Sequence, residues 1–182
     1  MATITSSSVA PTGDNKFLKI VGVLSTFSGW ISATLILLAV AITCQMIFVR
    51  SVLNQSTIWQ TELVIYLVIA ATLMGLPYVQ RLRGHVNVDL LPLMLPMKIR
   101  RSLAFVTLSL GIMILSLMVF YGFEFWYEAW SRNWKSDTVW GVRLWIPYMA
   151  MPIGFGLYLL QLIADLVALI SRVDTPFGLG EK

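Results

Sequence analysis

Histidine and cysteine are nearly missing from this chain: 182 residues contain one of each, His85 and Cys44. A single cysteine allows no intrachain disulfide. It also excludes thiol–disulfide exchange, which needs a second thiol. One loop histidine cannot supply the paired axial ligands of a membrane cytochrome. Charge is scarce too, at 12% of residues, against about 25% in a soluble domain. Four stretches, Ile20–Val49, Leu63–Gln80, Ser102–Phe123 and Leu144–Ala164, contain no Asp, Glu, Lys, Arg or His. A self-contained ion-coupled carrier usually keeps a carboxylate or a cation deep in the bilayer, and none of these runs offers one. Catalysis within the membrane is therefore not expected, nor is any cofactor or bound metal.

What is there is apolar and long. The chain is 58% hydrophobic with a mean hydropathy of +0.80. At 1.5 Å per residue the third run spans about 33 Å, enough for a hydrocarbon core of about 30 Å. The fold class expected is an all-α integral membrane protein with four transmembrane helices, near residues 20–49, 59–80, 102–123 and 144–164. Residues 16–172 read as one membrane domain. Residues 1–15, rich in Ser, Thr, Ala and Pro, read as a disordered tail, and 173–182 as a second tail. The run behind the first tail is too long for the apolar core of a signal peptide. The first run, Ile20–Val49, is also too long for one upright helix, leaving open a single tilted helix or two pieces.

Basic residues divide unevenly. Lys16, Lys19, Arg81, Arg83, Lys98, Arg100, Arg101, Arg172 and Lys182 fall on one side, and Arg50, Arg132, Lys135 and Arg143 on the other. Basic loops stay cytoplasmic, so both termini are expected there. The net charge of +4 lies at span ends, where headgroups account for it, and nucleic-acid binding is not indicated.

Local signals refine the spans. Ser25, Gly29 and Ala33 recur at every fourth position, as do Ala71 with Gly75 and Ala150 with Gly154, which suits close helix approach. Thr57 and Gln60 have capping-box spacing ahead of the second span. Glu62 reads as a first-turn carboxylate favoured by the helix dipole, or as an anchor between helices or subunits. Pro77 is expected to loosen the end of that helix. Gly84 is a plausible stop, with Arg81 and Arg83 beside the negative end of the dipole. Asp89 is placed to cap a short interfacial helix in the second loop. Trp126, Trp130 and Trp134, at four-residue steps, predict an amphipathic interfacial helix in the third loop, with Trp140 and Trp145 as further headgroup anchors. Cys44 is expected to pack as a small buried apolar group, and Asp165 to be an exposed charge at the end of the fourth span.

One segment carries a resemblance. Glu62-Leu63-Val64-Ile65-Tyr66-Leu67 opens the second span, and Arg81-Leu82-Arg83-Gly84-His85-Val86-Asn87-Val88-Asp89 closes it, followed by Leu90-Leu91-Pro92-Leu93-Met94-Leu95-Pro96. This resembles the small membrane subunit of tripartite ATP-independent periplasmic (TRAP) transporters. That family has an acid opening the second helix and a basic-Gly-His signature ending in Val-Asp. Ile146-Pro147 and Pro152-Ile153-Gly154 are similar to its last helix. Thr61 stands where members often carry a second acid. The resemblance implies a scaffold role beside a large elevator-type membrane subunit, coupled to sodium and served by a periplasmic solute-binding protein. It implies carboxylate solutes and a bacterial inner-membrane location. Glu62, Arg81, Arg83, Gly84, His85 and Asp89 then become candidate structural, partner or lipid contacts. His85 is compatible with a hydrogen bond across its turn or with a lipid phosphate. Two other readings compete: a stand-alone homodimeric carrier, and a redox subunit of cytochrome type, disfavoured by the single histidine and cysteine.

Overall fold

The computed structural model describes residues 16–82 and 96–171. The expectations for the two tails, for Arg83, Gly84, His85 and Asp89, and for an interfacial helix in the second loop lie outside the described residues. Five helices are described: α1 (Lys16–Val52), α2 (Ile58–Arg81), α3 (Met97–Ser131), α4 (Trp145–Tyr148) and α5 (Ala150–Ile170). Four spans are long and apolar enough to cross a membrane, the fourth combining α4 and α5. The chain is an all-α, four-span membrane protein.

α1 is a single helix of 37 residues, about 55 Å long, which resolves the open question about the first run. Its buried residues Leu18, Ser25, Ser32 and Ala39 repeat every seventh position, with Val21, Gly22 and Ser28 between them. That 3.5-residue period is the seam of a left-handed helix pair. Most of the seam is small because lipid supplies no hydrophobic drive between helices, so contact must come from close backbone approach. α1 runs along α2, its most extensive neighbour, and also touches α5. α5 in turn packs against both α2 and α3. α5 is therefore the central helix, and α1 and α3 are the flanks.

The expected small-residue positions largely lie on these seams. Ser25 and Ala71 are almost fully buried, and Ala150 is buried. A methyl group added to Gly29 would lie 2.5 Å from Cγ of Tyr78, and one on Gly154 would lie 2.9 Å from the carbonyl oxygen of Leu73. Pro77, buried inside α2, has no N–H to give the carbonyl four residues back. That carbonyl is Leu73's, the one Gly154 of α5 packs against. Ala33 and Cys44 point the other way and are exposed. Cys44 is thus not packed inside the chain, because the seam at that level runs on the opposite face of α1.

One further expectation is corrected. α3 continues unbroken to Ser131, so Trp126 and Trp130 extend the third span and no separate interfacial helix forms in the third loop. Nothing between Phe123 and Ser131 removes a backbone donor or favours a turn. The helix ends only where Asn133 adopts a left-handed backbone, φ 52°, a conformation Asn tolerates. The break between α4 and α5 falls at Met149, where Pro152 cannot donate to the Tyr148 carbonyl.

Candidate interaction surfaces and their anchors

At one end of the molecule, the α1–α2 turn meets a hairpin that joins α3 to α4. The hairpin is closed by Leu144 N–H donating to the Trp134 carbonyl (3.0 Å) and Ser136 N–H donating to that of Val142 (2.9 Å). Lys135 and Arg143 face each other across it, and Gly141 turns its tip with φ 58°, which a residue without a Cβ accommodates. Glu62 anchors the tip. Its carboxylate, on a residue only 8% exposed, accepts from the Tyr66 hydroxyl at 2.5 Å and from the Thr138 hydroxyl. Glu62 is the fifth residue of α2, so it sits on the second turn. Hydroxyl donors, rather than first-turn amides, hold the charge. A carboxylate withdrawn from water persists where such donors replace its hydration.

The capping-box expectation is also corrected. Thr57 is the N-cap of α2 but makes no side-chain cap bond. Its hydroxyl instead accepts from Arg50 Nη2 at 2.9 Å. Gln60 is buried, and its Oε1 has no partner. The charged guanidinium is a stronger donor than a backbone amide, and it ties the last turn of α1 to the first of α2.

Aromatic side chains ring this end. Trp126 and Trp130 stack at 5.7 Å, and Trp126 Nε1 donates to the Trp145 carbonyl at 3.1 Å. Trp134 lies past the helix end, so it is not the third member of the stripe, but it packs edge-on to Phe125 at 5.7 Å. Trp140 meets Trp59 edge-on at 6.2 Å. An indole with an apolar body and one donor suits the membrane–water boundary.

At the opposite end, a polar layer crosses three helices. The Ser25 hydroxyl donates to Gln161 Oε1 at 2.6 Å. Gln161 Nε2 and Gln80 Nε2 each donate to one oxygen of Asp165, both at 2.8 Å. Asp165 is therefore a half-buried acceptor between α2 and α5, not an exposed end charge. Beside it, Arg81 Nη1 donates to the Gly22 carbonyl at 2.5 Å and to the Thr26 hydroxyl. Its guanidinium lies 3.3 Å from where a Cβ on Gly22 would stand. Arg101 donates to the Leu169 carbonyl at 2.9 Å, satisfying a C-terminal orphan of α5. Sequence reasoning missed Gln80, Gln161 and Thr138. The first two carried a signal, since an amide inside an apolar run must find a partner. Thr138, in a polar loop, carried none.

The outer faces are different. In the most apolar stretch of each span, only 6% of α1 and 11% of α3 is buried, against 17% for α2 and 33% for the fourth span. Thr34, Thr72, Thr107 and Ser116 are exposed there, but each hydroxyl donates to the carbonyl four residues back in its own helix. These hydroxyls ask nothing polar of a neighbour, and the apolar side chains around them fit lipid or an apolar protein surface. Phe27, Trp30, Ile31, Thr34 and Leu35 line a shallow groove along α1.

Fold and anchors together define a four-span membrane protein in which polar groups tie the helices to one another. The family model for the DctQ component of tripartite ATP-independent periplasmic transporters matches residues 39–172, and the chain belongs to that family. It is the small membrane component of a tripartite transport system. No curated protein is a close sequence match.

Proposed function

We propose that this chain is a non-catalytic scaffold subunit of a sodium-coupled, binding-protein-dependent transporter that imports a carboxylate solute across a bacterial inner membrane. Its direct partner in this reading is a large elevator-type membrane subunit, with a periplasmic solute-binding protein completing the system. The observation that carries the reading is the division of labour in the helices. Glu62, Arg81, Gln161 and Asp165 are engaged within the chain, while α1 and α3 present almost unburied apolar faces. A rigid slab of that kind braces a neighbour and needs no intramembrane ion site of its own. Sodium coupling and the solute class rest on the family resemblance alone. The basic residues concentrated at the end holding Lys16 and Arg101 support a cytoplasmic position for that end and for both termini. The hairpin end then faces the periplasm.

The test is reconstitution. The chain co-expressed with the large subunit should copurify with it, and sodium-driven uptake should require both together with the binding protein. Solute uptake by vesicles containing this chain alone would overturn the scaffold reading in favour of a stand-alone carrier.

A further inference from the structure

The tip of the 134–144 hairpin is apolar. Val139 is 92% exposed, the highest value for any large hydrophobic residue among those described. Trp140 and Trp59 meet beside it, each about half-exposed, and Ile58 adds an exposed apolar side chain. A bare valine at a loop tip would be unremarkable if the loop stood in water. This loop does not stand clear of the spans. The Thr138–Glu62 bond holds the tip at the second turn of α2. At that level the Thr61 hydroxyl meets Met46 Sδ of α1 at 3.2 Å, and α1 continues beyond it to Val52. The tip therefore lies inside the ends of the spanning helices. Polar neighbours limit its depth: Asp137, Lys135 and Arg143 are all exposed. An apolar tip flanked by indoles and backed by charge matches the boundary between headgroups and acyl chains. Lys135 and Arg143 are then placed to meet lipid phosphates.

We propose that Val139, with Trp140 and Trp59, inserts into the headgroup–acyl boundary of the leaflet at the hairpin end. Lipid is its partner, and Glu62 is the positioning residue that sets its depth through Thr138.

Neither transport nor any other subunit enters the test, so its result is separate from that of the proposed function. The full chain with Cys44→Ala and Val139→Cys is labelled with an environment-sensitive nitrobenzoxadiazole dye. It is reconstituted in phosphatidylethanolamine–phosphatidylglycerol vesicles. Nitroxide lipids carry the quencher at the headgroup, at a shallow acyl carbon or at a deep one, and iodide probes the water. The expected result is several-fold stronger quenching by the headgroup and shallow nitroxides than by the deep nitroxide or by iodide. Leu37→Cys, exposed in the middle of α1, serves as the deep control. Glu62→Ala should shift the label at 139 towards iodide and leave the control at 37 unchanged. Iodide-dominated quenching in the Glu62 protein places the tip in water and overturns the proposal. Protection from every quencher means that protein covers the tip, and overturns it equally. An unchanged pattern in Glu62→Ala overturns the role given to Glu62.

Discussion

Removing the Glu62 carboxylate takes the charged acceptor from two hydroxyls, those of Tyr66 and Thr138, although the Ser136 hydroxyl, 3.2 Å from that of Thr138, remains beside them. A typical hydrogen bond contributes about 0.5–1.5 kcal/mol and one to a charged group somewhat more, so Glu62→Ala should lower the melting temperature of the purified chain by several degrees. Glu62→Gln keeps an acceptor and should lose less. Thr138→Val in the Glu62→Ala background should add little, because both changes break one bond; full additivity in thermal melts would contradict the link. Glycines give a sharper contrast. Gly154→Ala forces a methyl to 2.9 Å from the Leu73 carbonyl oxygen, whereas a methyl on Gly156 meets nothing within 4 Å. The first should destabilise by roughly 1–3 kcal/mol through overpacking. The second should be neutral or slightly stabilising, since alanine is the better helix former. Denaturation of both variants in mixed micelles checks the ranking.

Among the elements, the polar layer of Ser25, Gln80, Gln161 and Asp165 does for the helices what a hydrophobic core does in water. Interhelical hydrogen bonds in membranes average about 0.6 kcal/mol. Gln161→Leu, which removes one bond to Ser25 and one to Asp165, should therefore cost about 1 kcal/mol. It should be measurable as a lower detergent midpoint for unfolding. Apolar runs fixed the positions of the four spans, because length and the scarcity of charge are local properties. The i,i+4 partners Tyr66 of Glu62 and Gln161 of Asp165 lie at helical spacing, but the partners across the bundle were not legible. Thr138 lies 76 residues from Glu62 and Gln80 lies 85 from Asp165, and no periodicity within a span reports a contact across the bundle. The same limit explains the misread Thr57. Its spacing to Gln60 suits a local cap, but Arg50 from the preceding helix takes the hydroxyl. The Trp stripe misled for another reason: four-residue spacing establishes a helical face but not whether the helix is new or a continuation of the span before it.

For the molecule as a whole, the central helix comes last among the four spans. α1 and α2 follow one another and pack together at once, but α3's principal neighbour is α5. During synthesis α3 must wait in the bilayer with its inward face, including Ala104, Leu115 and Ala129, turned to lipid until α5 emerges. Apolar residues tolerate that wait. Gln161 and Asp165 tolerate it less well, since they enter the membrane needing Ser25 and Gln80 as immediate partners. A ribosome stalled before Ala150 should therefore leave a stable helical hairpin and a loose third segment, open to membrane proteases. Biogenesis of this subunit turns on its final span docking quickly into a groove prepared by the first two.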